Sequence, residues 1–296
     1  MDSTKKNLTL VFAIFVSLSA FVVLANAQQQ APSLSVKPLT GGVYWTQGGA
    51  GGNTGIIVGK DGVVVVDAKT TPESAKEVLA EIAKITPKPV NTVIITHSDG
   101  DHVNGLAAFP TGLTIISQEN CKKEMQASAS SRNPAPQDHL PTKIVSSKEN
   151  VTLDAVRFEL LHFAPAHTSG DLMIYLPAQK IVFTGDIIAT NQPYTLIHAE
   201  KNGNSEGWIT TVKGLIALNA DRYVPGHGDL QTKADLQMRL AKVEARREEI
   251  KKLVAQGKSL PEVKQALGET DPAPGGPGPQ FPSFTTVVYN ELTKKS

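Results

Sequence analysis

Apolar residues fall into short runs of β-branched and aliphatic character, separated by breaks rich in glycine, proline and polar side chains. Residues 43–47, 54–58, 63–66, 92–95 and 113–117 read as strands. The Asp-Gly pair at 61–62 is a hairpin turn signal between two of them. Several runs are apolar at every position, the pattern of strands covered on both faces. Pro72 followed by apolar positions at Ala75, Val78, Leu79 and Ile82 predicts a helix over 72–85. A loop is expected over 96–104, a short helix near 106–109, and a helix running to about 129 after the strand at 113–117. Residues 128–141, with several Ser and Pro, read as a surface loop.

Strand signals dominate the next stretch, at 143–145, 151–153, 156–163, 172–176 and 180–183, with one more at 222–224. Helices are expected over 205–218, 232–254 with Thr232 as N-cap, 260–267 and 284–292, and a structureless Pro/Gly connection over 271–282. Both halves place strands before helices. Each sheet must bury its faces, so helices are expected outside two packed sheets, an α/β architecture.

The N-terminus follows a different pattern. Lys5 and Lys6 precede an apolar stretch at 8–24, and Ala25-Asn26-Ala27 offers small residues where a signal peptidase cuts. Residues 1–27 therefore read as a secretory signal peptide, residues 28–38 as a loose polar leader, and residues 39–296 as one domain. The expected location is periplasmic or extracellular, with no stable membrane association after cleavage. A net charge of +1 offers neither a nucleic-acid groove nor a polybasic membrane patch, which leaves a small-molecule substrate. Cys121 is the single cysteine, so no intramolecular disulfide can form. The sequence does not specify an oligomeric state.

The chemistry concentrates after the strand at 92–95. His97, Asp99, Asp101 and His102 alternate within a few positions, and Gly100 and Gly105 let the backbone fold tightly around them. Imidazole and carboxylate together suit zinc, iron or manganese. Three further sites follow in order. His167 lies in a loop between strands, Asp186 ends the strand at 180–183, and His227 stands between glycines after the strand at 222–224.

With these residues the chain resembles the metallo-β-lactamase superfamily, whose members carry His-x-His-x-Asp-His after a strand, then a later His, a bridging Asp in many members, and a final His. The resemblance runs from the hairpin at Gly59 to the Pro-Gly-His-Gly turn. It implies a four-layered αβ/βα sandwich with the metals at one edge, between the sheets. By position, it implies one cation on His97, Asp99 and His167, a second on Asp101, His102 and His227, and Asp186 bridging them. Asp67 matches an acidic family position and is expected to support the ligands without binding metal. The family's second histidine is Asp99 here, a harder and shorter ligand, expected to shift the first site toward iron or manganese or to weaken its zinc; two divalent cations, zinc first, are the expected cofactors.

The implied function is a hydrolase. Two cations about 3.5–4 Å apart share a hydroxide and lower its pKa, and Asp101 is the expected catalytic group that orients it and moves its proton. Tyr194 and His198 are expected substrate contacts, and the glycine-rich segment 48–53 is expected to border the pocket as a flexible element. Export suits a β-lactam substrate. Thioesters, lactones and phosphoesters are the alternatives within the fold, and a non-catalytic metal-binding module is the alternative outside catalysis.

Overall fold

The computed structural model describes residues 32–269 and 281–294. The expected signal peptide and most of the connection at 271–282 lie outside the described residues. Among the described residues, twelve strands form two sheets. The first is built from β1 (Ser35–Pro38), β2 (Val43–Gln47), β3 (Gly55–Val58), β4 (Val63–Val66), β5 (Val90–Ile94), β6 (Thr114–Gln118) and β7 (Lys143–Val145), side by side in chain order. Pairing is antiparallel from β1 to β4 and parallel from β4 to β7. The second contains β8 (Lys148–Leu153), β9 (Val156–Leu161), β10 (Met173–Leu176), β11 (Ile181–Phe183) and β12 (Arg222–Val224), in the order β12-β11-β10-β9-β8.

Strand alternation explains the continuous apolar runs. In β4, Val64 and Val66 enter the core between the sheets, while Val63 and Val65 face the outer helices. Ile94, Ile116, Ile174 and Phe183 join the same central core from β5, β6, β10 and β11. The outer face of the first sheet packs on α1 (Pro72–Ile85) and α3 (Glu119–Ala127) through Ala75, Val78, Ile82, Cys121 and Met125. The outer face of the second packs on α4 (Ser205–Ala217), α5 (Lys233–Ala255), α6 (Leu260–Ala266) and α7 (Phe284–Thr293). These are the four expected layers. Thr232 caps α5, its hydroxyl accepting from the Asp235 N–H.

Three local expectations need correction. The polar leader is ordered from Ser35 onward as β1, which pairs with β2 from Ser35 opposite Gln47. An edge strand with most of its side chains exposed leaves no apolar signal. The loop at 96–104 contains a single helical turn, α2 (Gly100–Val103), too short to show periodicity. The polar stretch 128–141 is not wholly superficial: His139 is buried, and its Nε2 lies 3.0 Å from the Phe109 carbonyl oxygen.

Among the described residues, no helix is long and apolar enough to cross a membrane.

Candidate metal centre

The C-terminal ends of β5 and β11 and the turns after β9 and β12 meet along one edge of the two sheets. Each delivers part of a histidine and carboxylate cluster. β5 runs into His97 and Asp99, and α2 then carries Asp101 and His102. His167 stands in the β9–β10 loop, Asp186 follows β11, and His227 follows β12.

The side chains form two triads. Ligand atoms of His97, Asp99 and His167 lie within 4.8 Å of one another, as do those of Asp101, His102 and His227. Asp186 lies between them, grouped with His97 and His102. Its Oδ1 is 3.3 Å from His102 Nε2 and its Oδ2 is 3.6 Å from His227 Nε2. Within the first triad, Asp99 Oδ2 lies 3.1 Å from His167 Nε2 and 3.7 Å from His97 Nε2. Within the second, His227 Nε2 lies 3.0 Å from Asp101 Oδ2 and 3.4 Å from His102 Nε2.

The other nitrogen of three of the rings is tied down. His102 Nδ1 pairs with Asp67 Oδ2 at 2.7 Å, and His167 Nδ1 with the Leu196 carbonyl at 3.0 Å. His97 Nδ1 lies 2.9 Å from the Thr96 hydroxyl. That hydroxyl donates its single proton to Asp67 Oδ2, so His97 Nδ1 must be the donor to it. Fixing Nδ1 this way aims each Nε2 lone pair at the centre, the arrangement that orients imidazole toward a metal. Asp67 holds a left-handed backbone at φ 61°, a strained conformation for a residue with a side chain. Its carboxylate also accepts from the Thr96 N–H.

Imidazoles and carboxylates shift one another's ionisation within the cluster. Burial opposes ionisation throughout, yet Asp101, Asp186 and Asp67 push His102 well above the ordinary imidazole value. Burial is likewise outweighed at His167, where the hydrogen bond with Asp99 lifts it to about 9. His97, held down by burial and then by neighbouring His102, sits well below. Against burial, the imidazoles of His102 and His227 hold Asp186 far below the usual carboxylate range. Asp99, Asp101 and Asp186 thus face imidazole Nε2 atoms that carry protons, positions that a divalent cation could take instead.

These residues fit divalent cations. His97 Nε2 is buried without a hydrogen-bond partner, and Asp186 Oδ1 has only the His102 ring, 3.3 Å away and poorly aligned for a hydrogen bond. Leaving a buried polar atom such as His97 Nε2 unpaired costs about 1–3 kcal/mol, and a cation held by the first triad would use both atoms.

The cluster opens on a cavity of about 680 Å³ lined by Asp99, Asp101, Asp186, His198, Lys201 and His227, with Leu196, Phe281 and Pro282 adding an apolar side. His198, expected as a substrate contact, faces this cavity, and its Nδ1 lies 3.2 Å from Asp99 Oδ1. Tyr194 does not line it. It stacks on Phe284 and accepts a hydrogen bond from Arg246 Nε in an adjoining cavity. The segment 48–53 does not line the cavity either. Its Gly52 abuts the His102 ring, where a Cβ would overlap, and the buried Lys69 ammonium donates to the carbonyls of Gly48 and Gly52, each at 2.8 Å.

Sequence reasoning missed Lys69, Lys201 and Asp171. The first two carry no motif. Asp171 follows His167 by four positions. It accepts from the N–H groups of Ala166 and Thr168 and from the Thr168 hydroxyl, folding the loop that presents His167. The run His-Thr-Ser-Gly-Asp could have signalled this turn.

The model of the metallo-β-lactamase superfamily matches residues 48–227. The chain belongs to this superfamily. Its members are generally hydrolases and typically bind divalent metals such as zinc. Among the relatives of this chain, the 2,4-dinitroanisole O-demethylase subunit alpha of Nocardioides sp. strain JS1661 is 30% identical over 198 residues, 66% of this chain and 58% of that protein. The linear primary-alkylsulfatase of a Pseudomonas species is 22% identical, over 58% of this chain and 40% of that protein. The metallo-beta-lactamase type 2 of Bacillus sp. strain 170 is 24% identical, over 58% of this chain and 65% of its own length. The chain thus spans less than two thirds of the length of each of these three relatives. Among solved structures, a metallo-beta-lactamase from Pontibacter korlensis superposes with a TM-score of 0.62 at 20% identity, covering 72% of this chain and 99% of that one. A stereoselective inverting sec-alkylsulfatase from Pseudomonas sp. gives 0.68 at 16% identity, over 88% of this chain and 50% of that one. At these identities the superpositions speak for the fold alone.

Proposed function

We propose that this chain is an exported metal-dependent hydrolase of a small-molecule substrate, working through two divalent cations. Zinc is the first choice, with iron or manganese favoured at the Asp99 triad. The observation that carries the reading is the tethering of three imidazoles by Nδ1, which leaves Nε2 atoms and carboxylate oxygens converging on an open cavity. His97, Asp99 and His167 would hold one cation, Asp101, His102 and His227 the other, and Asp186 would reach both. Bound cations would supply Lewis acidity to the scissile group and make water more acidic.

The residues provide the rest. Asp101 is the most exposed carboxylate of the cluster, at 37%, and lies in the cavity wall. Burial would push it up, but the charge of His102 and the hydrogen bond with His227 hold it below its ordinary value. It remains an anion at neutral pH, able to orient water and accept its proton. Phe281, Leu196 and Pro282 can take the apolar part of a substrate and keep bulk water from that side.

A β-lactam is the first substrate reading, supported by the matched metallo-beta-lactamases and by the export that the N-terminal sequence leads one to expect. An aryl ether or alkyl sulfate is the second, supported by the names of the demethylase and alkylsulfatase relatives. The test is turnover of a chromogenic cephalosporin, a nitrophenyl ester, an alkyl sulfate and 2,4-dinitroanisole by the purified chain, loaded separately with zinc, manganese and iron, with a chelator control. Chelator-sensitive turnover of one of them is expected, together with its loss and the loss of one bound metal in His102→Ala or His227→Ala. Turnover that survives chelation would overturn the metal reading. Two bound metals with no turnover of any substrate would favour the non-catalytic module.

A further inference from the structure

Asp99 replaces an imidazole of the family pattern, and the structure shows what accompanies the exchange. Its two carboxylate oxygens are used differently. Oδ2 faces the triad, toward His167 and His97. Oδ1 points the other way and accepts from Lys201 Nζ at 2.5 Å, with His198 Nδ1 at 3.2 Å.

The ammonium is held in a built position. Lys201 Nζ also donates to Ser98 Oγ at 2.8 Å, and Ser98 Oγ donates to Glu124 Oε2 at 2.5 Å. Lys201's own carbonyl accepts from the Ser169 N–H at 2.8 Å, and Ser169 Oγ donates to Glu124 Oε1 at 3.0 Å. Backbone and side chain of Lys201 are therefore bound to the two loops that carry His167 and Asp99. The side chain of Lys201 is 25% exposed and that of Asp99 10%, so solvent screens the pair only partly.

Charge explains the pairing. A triad of neutral imidazoles presents no net charge to a cation, and a carboxylate in one place adds −1. An ammonium on the far oxygen returns the sum to zero and fixes which oxygen faces inward. We propose that Lys201 is a positioning residue, the counter-charge that lets aspartate serve at position 99. This rests on the metal-centre reading above. Asp99 and Lys201 then form one exchange unit: histidine at position 99 would leave the ammonium unpaired beside a cation.

The test is a double-mutant cycle read by metal affinity, without turnover. Zinc and manganese dissociation constants are measured by competition with a chromogenic chelator. The metal-stripped full chain is compared with Asp99→His, Lys201→Met and the double variant, all checked for native circular dichroism. Removing Lys201 is expected to weaken zinc binding in the wild type and to strengthen it in the Asp99→His background, a coupling of about tenfold. Lys201→Arg, which keeps the charge, should match the wild type, and Lys201→Gln should repeat the cycle if the methionine variant folds poorly. Equal effects in both backgrounds would overturn the proposal, as would a change in substrate KM with all metal affinities unmoved, the mark of a substrate anchor. Metal binding by none of the proteins would overturn the metal centre itself and this proposal with it.

Discussion

At Gly226 the missing side chain is a requirement imposed by Asp186. A Cβ there would overlap Asp186 Oδ1 and crowd the backbone of Gly185. The neighbouring Asp186 carboxylate is reached by both triads, so displacing it disturbs both. Gly226→Ala is expected to lower metal stoichiometry and to destabilise the fold by about 1–3 kcal/mol, the usual cost of overpacking a close contact. Bound metal per chain by elemental analysis, with urea unfolding of the stripped protein, checks both parts. Full stoichiometry with unchanged stability would mean that the turn yields without moving Asp186. The histidines were legible in the sequence because imidazoles after apolar strands, flanked by glycines, have few structural uses in that density. Lys201 and Lys69 were not, because a lysine acts here through partners distant in sequence, Asp99 and the carbonyls of Gly48 and Gly52.

Among the elements, the loop after β4 shows how the cluster is braced. Lys69, itself at φ 70°, sends its ammonium across to the glycine-rich segment that abuts His102. Burial pulls this amine down from 10.5 to about 8. Below pH 8 the group is charged in both the folded and unfolded chains, and the burial penalty is fully felt. Between pH 8 and 10.5 only the unfolded chain keeps the proton, so the folded state gains stability as pH rises. The expected outcome is that the stability of the wild type, measured against Lys69→Met by denaturant unfolding, rises between pH 8 and 10.5. A difference independent of pH would mean that Lys69 titrates as it does in the unfolded chain. The strands themselves were readable, since β4, β10 and β11 are buried along their whole length. The edge strand β1 and the single turn α2 were not, because neither is long or apolar enough to impose a period.

At the scale of the whole molecule, the cluster ties together segments from both sheets, so cation binding and folding are linked. Bound divalent metal should stabilise the fold by about 2.7 kcal/mol at a free concentration one hundred times the dissociation constant. The melting temperature should fall on chelation and recover on adding zinc. The same linkage has a pH dependence. In the metal-free chain His167 titrates at about 9, held up by its hydrogen bond with Asp99. Below that pH its proton must leave before Nε2 can bind, so metal affinity should rise as pH increases toward 9. Titration in weakly buffered solution should show protons released on binding; release of none at pH 7 would contradict the charged state of the imidazoles.

Residue order alone settled the layered α/β architecture, because buried strands and amphipathic helices leave few ways to cover apolar faces. It also settled the metal-binding character of His97, His102, His167 and His227 as an expectation, because the ligand types and their places after strands are local properties. The division of Asp99 between triad and Lys201, the clamp of Lys69 on the glycine-rich segment and the removal of Tyr194 from the cavity were decided only by tertiary structure. Each depends on contacts between residues far apart in the chain, and such contacts leave no periodic or compositional trace in either partner.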